Sequence, residues 1–416
     1  MLRRPASLRR AFCRNRTDDV FDRIRKMTEG SMKLLRIAAA LTLGLCPIAR
    51  AEVTTPAPYA MIMDAESGEV LFEKNADAPM GPSSMAKLMT VAIVFEKLKA
   101  GELKLTDEFQ VSEKAWREKE GSSMWVRVNT KIALEPLLRG IIVQSGNDAC
   151  IVIAENISGT EEAFADLMTK KAREWGMKSS TFTNSWGRPD PENKMSTRDL
   201  ALLARKLITE YKDYYHYFAE RDFTWEGIRQ PNRNPLLSNF KGADGLKTGH
   251  TEENGYGLVG SAIVDGDRRI IVINGLGSMA ERAAESERLM RSAFNEFTRK
   301  PLYKKGDVVA DALVFAGKSE TVPLTTAEPV SLLVQRSAAD SITGKVIYDG
   351  PIAAPIAEGQ QIGVLRVSTA GGGSREFPLY AAKAVKAVGP LGRIGLAAKS
   401  IFTKPQRAGI SDAPVE

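Results

Sequence analysis

Three strand-like runs, residues 245–249, 257–264 and 268–276, follow one another with only short spacers. A parallel return needs a crossover of about a dozen residues or more, so consecutive runs this close pair antiparallel. Asp265-Gly266-Asp267 supplies the turn chemistry between the last two. A long helix over about 280–297 closes this region. Upstream, residues 59–64 and 69–74 flank Ala65-Glu66-Ser67-Gly68 as a second hairpin. Between hairpin and meander the pattern predicts helices over 84–99, 134–143, 148–154 and 161–175, and from 196 to 208. The first ends at Ala100-Gly101, Pro136 suits a first helical turn, and Ser196-Thr197-Arg198-Asp199 has the shape of a capping box. Residues 102–133 are mixed, with strand-like pieces at 108–111 and 125–128. Residues 176–195 form a loop rich in Gly, Pro, Ser and Asn, and 211–239 is aromatic and polar. Such an order predicts an α/β (α+β) layered domain, an antiparallel sheet with helices.

Pro301 marks a change. Short alternating runs at 308–314, 330–333, 344–348, 361–367 and 376–379 are separated by Gly and Pro, which predicts a small all-β domain over 301–380. Residues 381–416 then turn basic and are expected to be helical. Leu391, Ile394, Ala398, Ile401 and Phe402 fall on one side, with Arg393, Lys399 and Lys404 beyond them, a stripe suited to a membrane interface. Gly392 and Gly395 weaken that helix, so a frayed or core-packed tail is equally compatible.

The net charge of +7 over 416 residues suggests a polyanion partner until it is located. Residues 1–51 hold 12 Lys and Arg against 4 Asp and Glu; the remainder holds 46 against 47. The basic excess belongs to a leader, so no nucleic-acid partner is expected. Met32-Lys33-Leu34-Leu35-Arg36 reads as a charged n-region, 37–45 as a short apolar core, and Ala49-Arg50-Ala51 as a small-x-small cleavage site leaving Glu52 first. Residues 1–31 precede this signal, which suggests Met32 as the true start. The expected division is 1–51 leader and signal, 52–300 catalytic, 301–380 β-rich, and 381–416 tail.

Only Cys150 of the three cysteines survives cleavage, and its apolar neighbours make it a small core residue. The chain has two histidines, no His-Glu-x-x-His, no Cys-x-x-Cys and no Gly-x-Ser-x-Gly, so neither a metal site nor a cofactor is expected. A hydrolase here would work without histidine as its base.

Pro82-Ser83-Ser84-Met85-Ala86-Lys87 opens a helix and places Ser84 one turn from Lys87. An amine of lowered pKa beside a serine can remove its proton, and a helix N-terminus disfavours the charged amine. An N-cap serine with a solvated lysine is the bland alternative. Ser145-Gly146-Asn147 lies at a helix–helix junction, where a loop can aim a hydroxyl and an amide into a cleft. Lys247-Thr248-Gly249 lies on a strand, its glycine leaving room for a substrate backbone and its Lys and Thr suited to a carboxylate. Ser-x-x-Lys, a Ser-x-Asn motif and Lys-Thr-Gly in this order form the active-serine set of penicillin-binding enzymes, with Gly146 where Asp is usual.

With Val143-Gln144-Ser145-Gly146-Asn147-Asp148-Ala149-Cys150 and Asp244-Gly245-Leu246-Lys247-Thr248-Gly249-His250-Thr251, the chain resembles the low-molecular-mass penicillin-binding proteins, bacterial serine-type D-alanyl-D-alanine carboxypeptidases. The likeness spans about residues 55–300 and is one of architecture beyond. It implies the penicillin-binding and β-lactamase-like fold. It implies an exported enzyme that trims the terminal D-alanine from peptidoglycan pentapeptides through an acyl-enzyme and is inhibited by β-lactams. A C-terminal helix would hold it at the periplasmic face of the inner membrane, although the tail's glycines and polar end depart from a strong anchor. Ser84 would then be the nucleophile, Lys87 its base and Ser145 a proton relay. Asn147 would hold the substrate amide. Lys247, Thr248 and Gly249 would line the cleft, with Lys247 supporting the pKa shift of its neighbours. The N–H groups of Ser84 and His250 would form the oxyanion hole, and Arg282 would help hold the substrate carboxylate. The alternatives are a β-lactamase, which wants a deacylating glutamate and has only Glu192 in the 176–195 loop, a D,D-endopeptidase, and a non-enzymatic cell-wall binding protein.

Overall fold

The computed structural model describes residues 53–118, 120–369 and 374–389, and the backbone of 410–413. The leader, and the stripe from Leu391 to Lys404, lie outside the described residues. Strands β1 (Tyr59–Asp64) and β2 (Val70–Lys74) form the first hairpin. A 3₁₀ turn, Ser83–Ala86, leads into helix α1 (Lys87–Lys99). Next come β3 (Glu108–Gln110), α2 (Glu113–Arg117), β4 (Lys131–Ala133), α3 (Leu134–Ile142), α4 (Asn147–Ser158), α5 (Glu161–Glu174) and α6 (Thr197–Glu210). A small hairpin of β5 (Asp222–Trp225) and β6 (Ile228–Pro231) precedes β7 (Ala243–Thr251), β8 (Gly255–Val264), β9 (Asp267–Leu276) and α7 (Met279–Asn295).

The main sheet has the order β2-β1-β9-β8-β7, with every pair antiparallel. Both its faces are covered, which explains the continuous apolar runs in β1 and β9. Met61, Met63, Ile270 and Val272 join the core shared with α1, α3–α6 and their loops. Ala60, Ile62, Ile271 and Ile273, one residue out of phase, pack with Leu289, Met290 and Ala293 of α7. Leu88 to Phe95 are all buried, so α1 runs through the middle of the helical layer. β7 is left as a free edge beside the Ser83–Ala86 turn.

Beyond α7 the chain enters a second sheet system. β10 (Phe297–Tyr303) pairs with β13 (Val330–Gln335). Strands β11 (Val308–Phe315), β12 (Thr321–Thr326), β14 (Thr343–Tyr348), β15 (Ile352–Ala353), β16 (Gln361–Ser368), β17 (Ser374–Ala381) and β18 (Ile410–Ala413) form a seven-stranded sheet ordered β15-β11-β12-β17-β16-β14-β18. Val309, Leu324, Val346, Leu365 and Leu379 fill its core.

Several local expectations change. Residues 125–128 are not a strand, because Trp125 has a left-handed backbone (φ 68°); β3 pairs with β4 instead. The long helix ends at Asn295, and Phe297 already belongs to β10. β12 was hidden by Pro323, which breaks a strand pattern because it lacks an N–H. The described tail residues are not helical: Val385 and Ala387 bridge to Ile356 and Gly317, and Ile410–Ala413 adds a strand to β14.

Candidate active site

Ser84 lies within the 3₁₀ turn, whose N-cap is Pro82, and ahead of Ala86, the N-cap of α1, so it caps neither. Three residues per turn eclipse positions i and i+3, so Ser84 and Lys87 face each other directly. Lys87 Nζ stands 2.8 Å from Ser84 Oγ and donates to the Trp186 carbonyl at 2.8 Å. Lys87 is fully buried and Ser84 is partly exposed. Burial lowers the Lys87 pKa to about 8, and the Arg233 charge pushes the same way. Cys150 opposes this only as a thiolate, and burial pushes its thiol up to about 12, so it stays neutral and leaves Lys87 depressed. The sequence reading gives Lys247 a supporting part in this shift; the positive charge that lowers the Lys87 pKa is that of Arg233.

The Trp186 carbonyl is held in place by a close approach. Gly187 has φ +91°, and a Cβ there would fall 1.8 Å from the Ser83 carbonyl oxygen. The loop before it is tied to α1 by Thr90 Oγ1, which donates to the Ser185 carbonyl at 2.5 Å. Asn184 Oδ1 accepts from the N–H groups of Gly187 and Arg188 at 2.8 and 2.9 Å.

Ser145 lies between α3 and α4 with a left-handed backbone (φ 63°), a conformation that costs a non-glycine residue about 1–2 kcal/mol. It aims its hydroxyl at Lys247 Nζ, which donates to Oγ at 3.0 Å. Asp148, fully buried on the first turn of α4, accepts from Ser123 Oγ and from the N–H groups of Met124, Val126 and Ala149 at 2.6–3.0 Å. It thereby docks the 122–126 loop beside Asn147, whose Nδ2 donates to the Glu120 carbonyl at 2.7 Å. Asn147 Oδ1 is buried with no partner among the described residues, an acceptor open to a substrate N–H.

Lys247 and Thr248 are buried on the edge strand β7. The Lys247 pKa is pushed well below its ordinary value by burial, then by Lys87 and Arg233. A Cβ at Gly249 would meet the Pro82 carbonyl oxygen at 3.0 Å and Met85 Cγ at 3.1 Å, so glycine lets the strand lie against the nucleophile turn. His250, exposed, stacks on Tyr256 with ring centroids 3.8 Å apart. Arg282 comes from the first turn of α7 and lies 5.6 Å from the same Tyr256 ring, with a buried Nε that has no hydrogen-bond partner among the described residues. Its charge also depresses Lys247.

The structure therefore joins Ser84 to Lys87 and Ser145 to Lys247 by direct contacts, with Arg282 acting on Lys247 through its field. Trp186 and Arg233 stand in no motif of the sequence, and Asp148, part of the second motif, has no role assigned to it there. Arg233 donates to Ser122 Oγ and is felt by both lysines, yet it follows β6 in a stretch with no motif.

Comparison with known proteins bears on this arrangement. The D-alanyl-D-alanine carboxypeptidase family matches residues 48–277, and the C-terminal domain of penicillin-binding protein 5 matches 297–387. The chain is 35% identical over 385 residues to D-alanyl-D-alanine carboxypeptidase DacC of Escherichia coli, covering 88% of this chain and 96% of that one. It is 33% identical over 344 residues to DacF of Bacillus subtilis, covering 81% and 88%. Crystal structures of penicillin binding protein 5 from Haemophilus influenzae superpose with a TM-score of 0.71 at 32% identity, over 80% of this chain and all of that one.

Proposed function

The chain belongs to the D-alanyl-D-alanine carboxypeptidase family, and from that premise we propose that Ser84 carries the covalent step with Lys87 as its base. The enzyme is a serine-type D-Ala-D-Ala carboxypeptidase; its family brings a peptidoglycan substrate and β-lactam binding. The observation that carries the residue assignment is the buried Lys87 amine, of lowered pKa, 2.8 Å from Ser84 Oγ. A neutral amine that gives one N–H to the Trp186 carbonyl can turn its lone pair to the Ser84 hydroxyl.

Lys87 takes the Ser84 proton as Oγ attacks the carbonyl carbon of the penultimate D-alanine. The N–H groups of Ser84 and His250 receive the oxyanion, donors that are typically worth ~3 kcal/mol each. Lys247, Thr248 and Arg282 hold the terminal carboxylate, and Asn147 holds the peptide amide. Ser145, hydrogen-bonded to Lys247, passes a proton to the leaving amine of D-alanine. The C–N bond breaks, and water then hydrolyses the Ser84 ester. A β-lactam presents an amide near a carboxylate and enters the same path. Its ester should persist, because Glu192 is exposed on its loop and Asp148 is committed to four hydrogen bonds.

Residues 52–300 carry the chemistry in this reading, and 301–380 form a separate β-rich domain. Export through the 32–51 signal places the enzyme in the periplasm, and the basic, apolar stripe after Leu391 attaches it peripherally to the inner membrane. The test is D-alanine release from a synthetic pentapeptide ending in D-Ala-D-Ala, with mass spectrometry of the penicillin adduct. The adduct is expected on Ser84, and Ser84→Ala should lose both label and release. Full release by Ser84→Ala would overturn the assignment.

A further inference from the structure

Outward from Asn147 the chain displays an apolar pair. Trp125 is 48% exposed and Ile228 is 44% exposed, on two segments that the site itself holds in place. Asn147 donates its N–H to the Ser122 carbonyl at 2.8 Å and its Nδ2 to the Glu120 carbonyl, so the run that leads to Trp125 starts against the amide-binding residue. Asp148 accepts from the N–H groups on either side of Trp125, those of Met124 and Val126. The β5–β6 hairpin lies alongside. Gln230 Nε2 donates to the Ser123 carbonyl at 3.1 Å, and Arg127 pairs with Glu226 at 2.7 Å. The two contacts join segments of opposite direction, 123 to 230 and 127 to 226, and so bring Trp125 opposite Ile228.

Trp125 has a φ of 68°, a conformation in which a bulky side chain is an outlier and which Gly or Asn adopts with less strain. The indole is therefore not there for the turn, and at half exposure it adds little to the core. Contact with a ligand accounts for both features. Two side chains offer far less than the roughly 800 Å² per partner of a standard protein interface, so the patch suits a single ring. Reach agrees. Three residues separate Ser122 from Trp125, and three residues separate the D-Ala-D-Ala pair of a pentapeptide from the sugar that carries it, each span about 10 Å when extended. A pyranose has a face of C–H bonds that matches the negative face of an indole. Its hydroxyl and amide edge would meet the Arg127–Glu226 pair.

We propose that Trp125 and Ile228 form a saccharide subsite, which stacks an N-acetylated sugar of the glycan that carries the pentapeptide. The proposal rests on the carboxypeptidase reading and adds recognition of the carbohydrate part of the substrate.

The experiment measures kcat/KM for D-alanine release from the N-acetylated pentapeptide and from the same pentapeptide on its N-acetylglucosaminyl-N-acetylmuramyl disaccharide. The disaccharide form should lead by about three- to tenfold, through KM, which is the worth of one aromatic stack. Trp125→Asn suits the left-handed backbone and should erase the lead. Trp125→Tyr should keep most of it, and Ile228→Thr should reduce it. All three variants should leave turnover of the free pentapeptide within about twofold of wild type. Equal kcat/KM on the two substrates with the wild-type enzyme would overturn the subsite while leaving the peptidase reading intact. A lead that survives Trp125→Asn would do the same, even where that variant binds vesicles or another protein less well. So would variants that slow both substrates alike. Release from neither substrate would overturn the peptidase reading, and the subsite with it. Should Trp125→Asn fail to fold, the wild-type ratio and its fall in Ile228→Thr decide.

Discussion

Lys87 combines the two requirements of a base in this site, burial and contact, and both have measurable consequences. With its pKa near 8, the neutral fraction rises through that pH, so penicillin acylation should climb with pH to half its plateau near 8. The same shift enters stability with a definite sign. Between about pH 8 and the ordinary lysine pKa near 10.4, the unfolded chain binds a proton that the folded chain does not. This group therefore adds stability as pH rises through that window, about 3 kcal/mol in all, and its full cost is present below pH 8. Denaturation of wild type and Lys87→Met at pH 7 and 10 should show the steeper rise in wild type, since Lys247, whose pKa burial also lowers, keeps its own slope in the variant; equal slopes would refute the burial account. Lys87→Arg keeps the charge but cannot serve as a base, and acylation should be all but lost. Arg282→Ala keeps the nucleophile and removes a cation whose buried Nε has no hydrogen-bond partner among the described residues. It should lower kcat/KM for D-alanine release by about 10- to 100-fold, the worth of one charge-assisted hydrogen bond, and slow penicillin labelling without abolishing it. An unchanged kcat/KM would return Arg282 to a structural role. Ser84, Lys87, Ser145 and Lys247 could be read from the sequence because each sits in a contiguous motif whose spacing is set by local geometry. Arg233 and Trp186 could not, since only tertiary folding brings them within reach of the lysines.

Among the elements, the loop 184–188 has the clearest mechanical duty, since it delivers the Trp186 carbonyl to Lys87. Gly187→Ala would place a Cβ 1.8 Å from the Ser83 oxygen at a φ of +91°. The loop must then move away from the nucleophile turn, at a cost of about 1–3 kcal/mol. Denaturant unfolding should show that loss, and acylation should slow at pH 7 and at pH 9 alike, because a misplaced carbonyl no longer orients the amine. A variant with wild-type stability and acylation would show that the contact is dispensable. Elements with a strong period were legible: the two hairpins of the main sheet, α1, α3, α5 and α6 all fall within a few residues of their sequence signals. Those that were missed depend on partners. The Pro323 strand exists because β11 and β17 flank it, and the β5–β6 hairpin is a four-residue pair in an aromatic stretch with no alternation. Trp125 shows the converse, a strand-forming residue turned left-handed in the loop that Asp148 organises.

Across the whole molecule, the β-rich part is joined to the catalytic sheet by both packing and charge. Phe297 of β10 and Leu333 of β13 complete the core beneath α7, and Arg299 reaches Asp64 at 3.1 Å, where Arg269 already pairs at 2.6 Å in full burial. This architecture fixes where the tail can be cut. Val385 is buried in the second core and bridges Ile356, so a deletion from 385 would damage the β sheet itself. A deletion from 390 spares that core but removes β18, which covers the edge of β14 and would leave it open to pairing with other chains. Substitution of the apolar stripe is the cleaner test of membrane attachment. Ile401→Asp with Phe402→Asp removes two of the largest apolar groups and sets anionic ones beside Lys399 and Lys404. Cations near an anionic surface contribute about 1 kcal/mol each and are screened by salt, while buried apolar side chains hold independently of it. Wild type should co-sediment with anionic vesicles, less so in high salt, and little with neutral vesicles. The double variant should remain in the supernatant with full D-alanine release. Sedimentation unchanged by the substitutions would remove the stripe as the anchor and leave the enzyme's position to some other contact.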